Sequence, residues 1–168
     1  MEKAIQTVTE MITQREYKIT EKDSDKIIGV NSKGDRIIAF TNIISKFNND
    51  RVKEYVSVLY KMGMNHCIAI YSDSITPMAK KFIKDSLDIK IELFCQDELQ
   101  FNITKHRLVP PHIKLTDEEG KQFKKKYGLK HPVILTSDPV ARFYNFKRGD
   151  IIKIVRPGGY ITYRIVKG

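Results

Sequence analysis

The sequence predicts an α+β protein of two modules: an α/β module over residues 1–100 and a smaller α+β module over residues 101–168. Three observations predict it. Apolar periodicity in the first hundred residues alternates between strand and helix, the order expected of a layered α/β unit with a mixed sheet. The remaining residues carry their own set of caps, turns and strands. The charge changes abruptly between the two parts. Residues 1–100 hold 15 Lys/Arg and 15 Asp/Glu, whereas residues 101–168 hold 15 Lys/Arg and 5 Asp/Glu and so carry the whole net +10.

In the first module, Ile5, Val8, Met11 and Ile12 fall on one helical face between Glu2 and Gln14. Short strands are expected at 17–19, 27–30 and 36–40, the last two joined by turn residues 31–35 with Gly34 free to take positive φ. Val52, Tyr55, Val56, Leu59 and Tyr60 mark a second helix, stopped by Gly63 in a left-handed cap. His66–Tyr71 has the continuous apolar run of a buried strand. Thr76-Pro77 then starts a helix, with threonine as N-cap and proline in the first turn, where no amide is needed. Ile89, Ile91 and Leu93 alternate as a strand does.

In the second module Val109-Pro110-Pro111 excludes helix interior. Thr116 and Glu119 form a capping box for a helix ending near Tyr127 and Gly128. Asp138-Pro139 starts a short helix, and residues 147–150 make a turn. Strands at 151–155 and 160–166 are joined by Pro157-Gly158-Gly159. The apolar set expected inside is Ile113, Leu115, Phe123, Tyr127, Ile134, Val140, Phe143, Ile152, Ile154, Ile161, Tyr163 and Ile165.

Composition narrows the function classes. With 41% hydrophobic and 30% charged residues the chain is expected to fold, and no apolar run is long enough to span a bilayer. Neither a secretory leader nor a disulfide framework is expected, because residues 1–12 mix polar and apolar types and Cys67 and Cys95 stand alone. Both cysteines are expected to pack as small hydrophobes. No phosphate loop or serine elbow occurs, and His66, His106, His112 and His131 lack ligand spacing, so each is expected at the surface or hydrogen-bonded; no metal or cofactor is expected. A metal-dependent nuclease would need converging carboxylates and usually a lysine. After Asp35 come Arg36, Ile37, Ile38, Ala39 and Phe40, so Asp35 reads as a turn residue and no catalytic residue is assigned.

A module this basic is expected to meet an acidic partner, either nucleic acid or an acidic protein surface. Lys121, Lys124, Lys125 and Lys126 suit a solvated helix end and its dipole. The Thr76 helix start, followed by Lys80, Lys81 and Lys84, is a candidate phosphate-facing element.

Several segments together resemble a known family. Residues 101–112 (FNITKHRLVPPH), 136–142 (TSDPVAR), 147–157 (KRGDIIKIVRP) and 163–166 (YRIV) are similar, in order and spacing, to motifs of the jaw and assembly subunit shared by nuclear RNA polymerases I, II and III. Ile75-Thr76-Pro77-Met78-Ala79 resembles that family's I-T-P-S-A element, with Met78 in the serine position. The first module is also shorter than is usual there, and the 157–159 link tighter. The resemblance implies a nuclease-like jaw domain without an active site, lying near downstream DNA. It also implies a C-terminal assembly domain that packs on the largest subunit. That domain corresponds to an archaeal polymerase component consisting of this module alone.

Carried over residue by residue, Ser74, Thr76, Pro77, Lys80 and Lys81 would face the backbone of downstream duplex DNA. His106, Val109, Pro110, His112, Asp138, Pro139, Val140, Arg142 and Arg156 would form the assembly interface. The implied protein is a non-catalytic common subunit working in the nucleus, or in the cytoplasmic factory of a large DNA virus. The alternative is a free-standing basic nucleic-acid-binding protein.

Overall fold

A computed structural model describes residues 2–168. It divides into two compact units, Met1–Phe101 and Asn102–Gly168.

The first unit is built on a five-stranded mixed sheet in the order β1 (Lys18–Lys22), β2 (Lys26–Val30), β3 (Arg36–Phe47), β4 (His66–Ile75), β5 (Lys90–Cys95). The first three strands are antiparallel neighbours, and β3-β4-β5 run parallel. Helices α2 (Asn49–Lys61) and α3 (Pro77–Asp85) supply the two parallel crossovers, as a parallel pair requires.

One sheet face, with Ile28, Ile38, Cys67, Ala69 and Ile91, shares a core with Val52, Tyr55 and Leu59 of α2. Phe40 and Tyr55 stack there at 4.2 Å. The opposite face receives α1 (Glu2–Gln14), whose Ala4, Val8, Met11 and Ile12 are buried. A Cβ on Gly29 would come within 3.0 Å of both Ile12 and Tyr17, so glycine here permits the helix to approach the sheet closely. A sheet covered on both faces explains the unbroken apolar run 67–70, and Cys67 is fully buried within it.

The α2 helix ends in a Schellman motif. Gly63, at φ +62, donates to the Tyr60 carbonyl and Met64 donates to that of Leu59. Strand β3 runs to Phe47, well past the expected end at residue 40. Its ladder to β4 shifts register between Ala39 and Ile43 and again between Ile44 and Lys46. Those irregularities, together with Thr41 bonding Ser24 and Asp25 carbonyls, erase the alternation that would mark a long strand.

The second unit has a four-stranded sheet in the order β6 (His112–Lys114), β8 (Ile151–Val155), β9 (Ile161–Lys167), β7 (Val133–Leu135). The outer strands have three residues each, too few for periodicity to reveal. Helix α4 (Asp117–Tyr127) carries the complete Thr116–Glu119 capping box, and α5 (Pro139–Tyr144) starts at Asp138 and ends on Asn145 in the left-handed region. The main core joins Ile134, Ile152, Ile154 and Val166 of the sheet to Ala141 of α5 and to Phe146. On the other sheet face, Phe123 of α4 meets Tyr163 at 4.6 Å. Gly158 and Gly159, both near φ +80, make the tight β8–β9 link.

Three residues expected inside are exposed: Ile113, Tyr127 and Ile161. The register Ile113–Lys153–Tyr163 puts Ile113 and Ile161 on the face where Phe123 meets Tyr163, but at its margins, Ile113 on the outer strand β6 and Ile161 at the first position of β9. Tyr127 is the last residue of α4 and lies against Phe123 of the same helix. Conversely Phe146, Ile151 and Val166 are buried although absent from the expected set.

Candidate nucleic-acid and assembly surfaces

The candidate DNA-facing residues meet where β4 passes into α3. Ser74 lies opposite Lys46 near the end of β4, half-buried. The Thr76 amide donates to the Phe47 carbonyl, which pins the helix start to the end of β3. The Thr76 hydroxyl caps the Ala79 amide at 3.3 Å, Pro77 has no amide, and Lys80 donates to the Thr76 carbonyl. Among the described residues this leaves the Met78 amide as the one open donor of the first turn. That is fewer than the sequence suggests, because the cap and the proline consume what a bare helix end would offer. Pro77, Lys80 and Lys81 are exposed, and only Ala79 of α3 is buried. Cationic charge is therefore the main thing this corner can present to a phosphate.

Asp35 is engaged in its own turn. Its carboxylate accepts from the Asn31 amide group at 2.9 Å, and its amide donates back to the Asn31 side-chain oxygen. Among the described residues, no three His, Cys, Asp or Glu side chains gather where they could hold a metal ion.

The candidate assembly residues fall in two stretches of the second unit. In the first, the Asn102 side chain caps a 3-10 turn at Ile103–Lys105. His106 accepts through Nδ1 from the Leu108 amide, and its carbonyl accepts from Val109. The His112 ring meets the Pro110 carbonyl at 2.7 Å. In the second, Asp138 caps the Val140 amide at 2.9 Å and Pro139 stands exposed in the first turn of α5. The 3-10 turn and α5 are in contact, which brings the stretches together. The Val155 amide donates to the Pro111 carbonyl, so the neighbouring Arg156 lies at the same end of the sheet. Val140 is buried within its own unit, leaving little side chain for a partner to touch. Arg142 is half-buried on α5, while Arg156 is exposed, with Nε 3.3 Å from the Thr162 hydroxyl.

One polar cluster has no signal in the sequence. Arg15, just beyond α1, makes two bonds to Glu92 of β5, at 2.8 and 2.9 Å, and His66 Nε2 lies 2.6 Å from the same carboxylate. Burial would raise the Glu92 pKa, but the Arg15 charge and the His66 and Arg15 hydrogen bonds outweigh it and hold the carboxyl down to about 2. The cluster ties α1 to the sheet, and no spacing rule connects residues 15, 66 and 92. His131 departs from expectation too: its Nε2 is buried without a hydrogen-bond partner, and its ring packs 4.8 Å from Phe123.

Comparison with known proteins adds an independent observation. The family model for the RNA polymerase Rpb5 C-terminal domain matches residues 101–166. A DNA-directed RNA polymerases I, II and III subunit, rpabc1, of Dictyostelium discoideum is 35% identical, with 95% of this chain and 93% of that protein aligned. A putative DNA-directed RNA polymerase subunit, 454R, of Invertebrate iridescent virus 6 is 38% identical over 98% of each chain. The RPABC1 subunit of Caenorhabditis elegans is 35% identical over 79% of this chain and 66% of its own length.

Proposed function

This chain belongs to the Rpb5 family of RNA polymerase subunits, and from that premise we propose that it is a non-catalytic subunit of a DNA-directed RNA polymerase. In this proposal the first unit forms part of the jaw beside downstream DNA, and the second anchors the chain on the largest subunit. The observation that carries it is similarity to polymerase subunits along 95–98% of the chain, through both units and not only the C-terminal one. Tagging the native protein tests it: the large polymerase subunits are expected in the eluate at fixed stoichiometry. A free-standing nucleic-acid-binding protein would elute without them. The site of action is the nucleus for a cellular polymerase. The 38% identity to an iridovirus subunit supports a viral factory as the second reading, which fractionation of infected cells distinguishes.

For the jaw, the proposed contact is between phosphates and the corner formed by Ser74, Thr76, Pro77, Lys80 and Lys81. Lys80 and Lys81 supply the charge, and the Met78 amide is the available backbone donor. Backbone-only contact suits a machine that must translocate over any sequence. Each phosphate contact contributes about −0.9 to the logarithmic salt slope. Reversing Lys80 and Lys81 to glutamate should therefore make the slope of downstream-DNA retention shallower by about 2, with assembly and nucleotide addition intact. An unchanged slope would remove these lysines from the interface.

For assembly, exposed charge pairs contribute only ~0–1 kcal/mol each, so apolar burial is expected to provide most of the affinity. Lys125→Glu should be tolerated, whereas Pro139→Ala, which loosens the α5 start, should weaken incorporation. The reverse ranking would refute this division of labour.

A further inference from the structure

The two sheets have four outer strands, and three of them carry the charged side chains that discourage strand addition. Strand β1 has Lys18, Glu21 and Lys22, β5 has Lys90, and β6 has Lys114. Strand β7 has none, and residues 131–137 (HPVILTS) contain no Lys, Arg, Asp or Glu although the unit around them is strongly basic. Its Val133 and Leu135 are 38% and 54% exposed, and the nearby Leu129 is 62% exposed.

The outward amides of this edge are open as well. The Pro132 carbonyl accepts from Ile165 and the Thr136 amide donates to the Lys167 carbonyl. Ladder bonds to β9 therefore fall on residues 132, 134 and 136, and alternation turns the amides and carbonyls of Val133 and Leu135 outward. The Leu135 carbonyl accepts from Asp138, and the Val133 carbonyl has the Arg164 guanidinium at 3.5 Å, the outer limit for a hydrogen bond. Among the described residues the two outward amides have no partner. Lys130, three residues before Val133, is exposed, and so is Lys167, which lies behind the edge on β9 as the register partner of Leu135.

We infer that the outer edge of β7 accepts a β-strand from another polymerase subunit, an extended segment with apolar residues at alternate positions and acidic residues at its ends. This deepens the proposal above and rests on the chain being a polymerase subunit. The incoming carbonyls take the amides of Val133 and Leu135, its alternate apolar side chains lie beside Val133 and Leu135, and its acidic ends complement the strongly basic unit, with Lys130 the nearby cation in sequence. The uncharged edge is left open in a unit whose other outer strand is guarded by Lys114.

Amide hydrogen exchange at residue resolution, in the free full-length chain and in polymerase purified through it, tests the inference. Ile134 and Thr136 should be protected in both states. Val133 and Leu135 should exchange freely in the isolated chain and at least about tenfold more slowly in the polymerase. Equal exchange of Val133 and Leu135 in the two states would overturn strand addition while leaving the subunit proposal standing. Failure of the chain to co-purify with polymerase would overturn both. Protection that grows with concentration of the isolated chain would identify a second copy as the occupant and overturn the assignment to a polymerase segment. In a second arm, the double variant Val133→Lys/Leu135→Lys should melt as the parent does but lose incorporation by about tenfold or more, since both positions are exposed. Parental incorporation would count against the inference, and should the variant fail to fold, the exchange measurement on the unmodified chain decides.

Discussion

Replacing Arg15 by methionine probes the contact that holds α1 to the first unit. The substitution keeps the apolar stem of the side chain and removes the charge. Glu92 then stays on β5, 12% exposed, having lost two charge-assisted bonds of 2.8 and 2.9 Å and keeping only the His66 contact. Removing one partner of a buried ion pair costs about 3–5 kcal/mol, because the other charge remains desolvated. His66 still shares the Glu92 carboxylate, which argues for the lower end, about 3 kcal/mol. For a unit of about 100 residues that corresponds to a fall in Tm of more than about 10 °C.

The pH dependence has a definite sign. A carboxyl held at about 2 in the folded state, below its ordinary value of 4.5, stabilises the fold fully at neutral pH. That contribution is lost as pH falls from about 4.5 towards 2, because the unfolded chain takes up the proton first. Arg15→Met should flatten this acid-range slope. Chemical unfolding followed by amide signals of the first unit, run as a double-mutant cycle with Glu92→Gln, measures both effects. A destabilisation under about 1 kcal/mol, or strictly additive single and double variants, would refute the assignment of a stabilising buried pair.

Gly29→Ala should destabilise the first unit by about 1–3 kcal/mol in the same unfolding assay, because the new methyl meets Ile12 and Tyr17 at 3.0 Å and α1 must shift. A fragment of residues 102–168 should fold alone, giving a cooperative melt and dispersed amide signals. It contains its own sheet, capping box and core, although at this size stability is marginal. The purified chain should not cleave single-stranded, duplex or branched DNA with magnesium or manganese, since Asp35 is committed to its turn and lacks a converging carboxylate. Cleavage abolished by Asp35→Ala would contradict this.

Local chemistry determined a good part of this protein from the sequence alone. Thr76-Pro77, Thr116 with Glu119, and Asp138-Pro139 start helices because a hydroxyl or carboxylate cap and a donor-free first turn act within four residues. Gly63 ends α2 for an equally local reason, the left-handed conformation of its Schellman motif. The family motifs along residues 101–166 were legible for the same reason, since contiguous residues carry them.

What depended on distant partners was settled only by tertiary structure. The bulged second half of β3 and the three-residue strands β6 and β7 exist because neighbouring strands pair with them. Arg15, His66 and Glu92 converge because α1, β4 and β5 are packed together, and nothing in their spacing encodes it. Ile113 and Ile161 are exposed where the sheet order puts them, on an outer strand and at the first position of β9, which their apolar character could not reveal. At the Thr76 corner the sequence identified the helix start, but counting its open amides required the bonds that Thr76 makes to Phe47 and Ala79. Hydrogen-bond supply at a surface is a property of the folded backbone, and residue type sets only its upper limit.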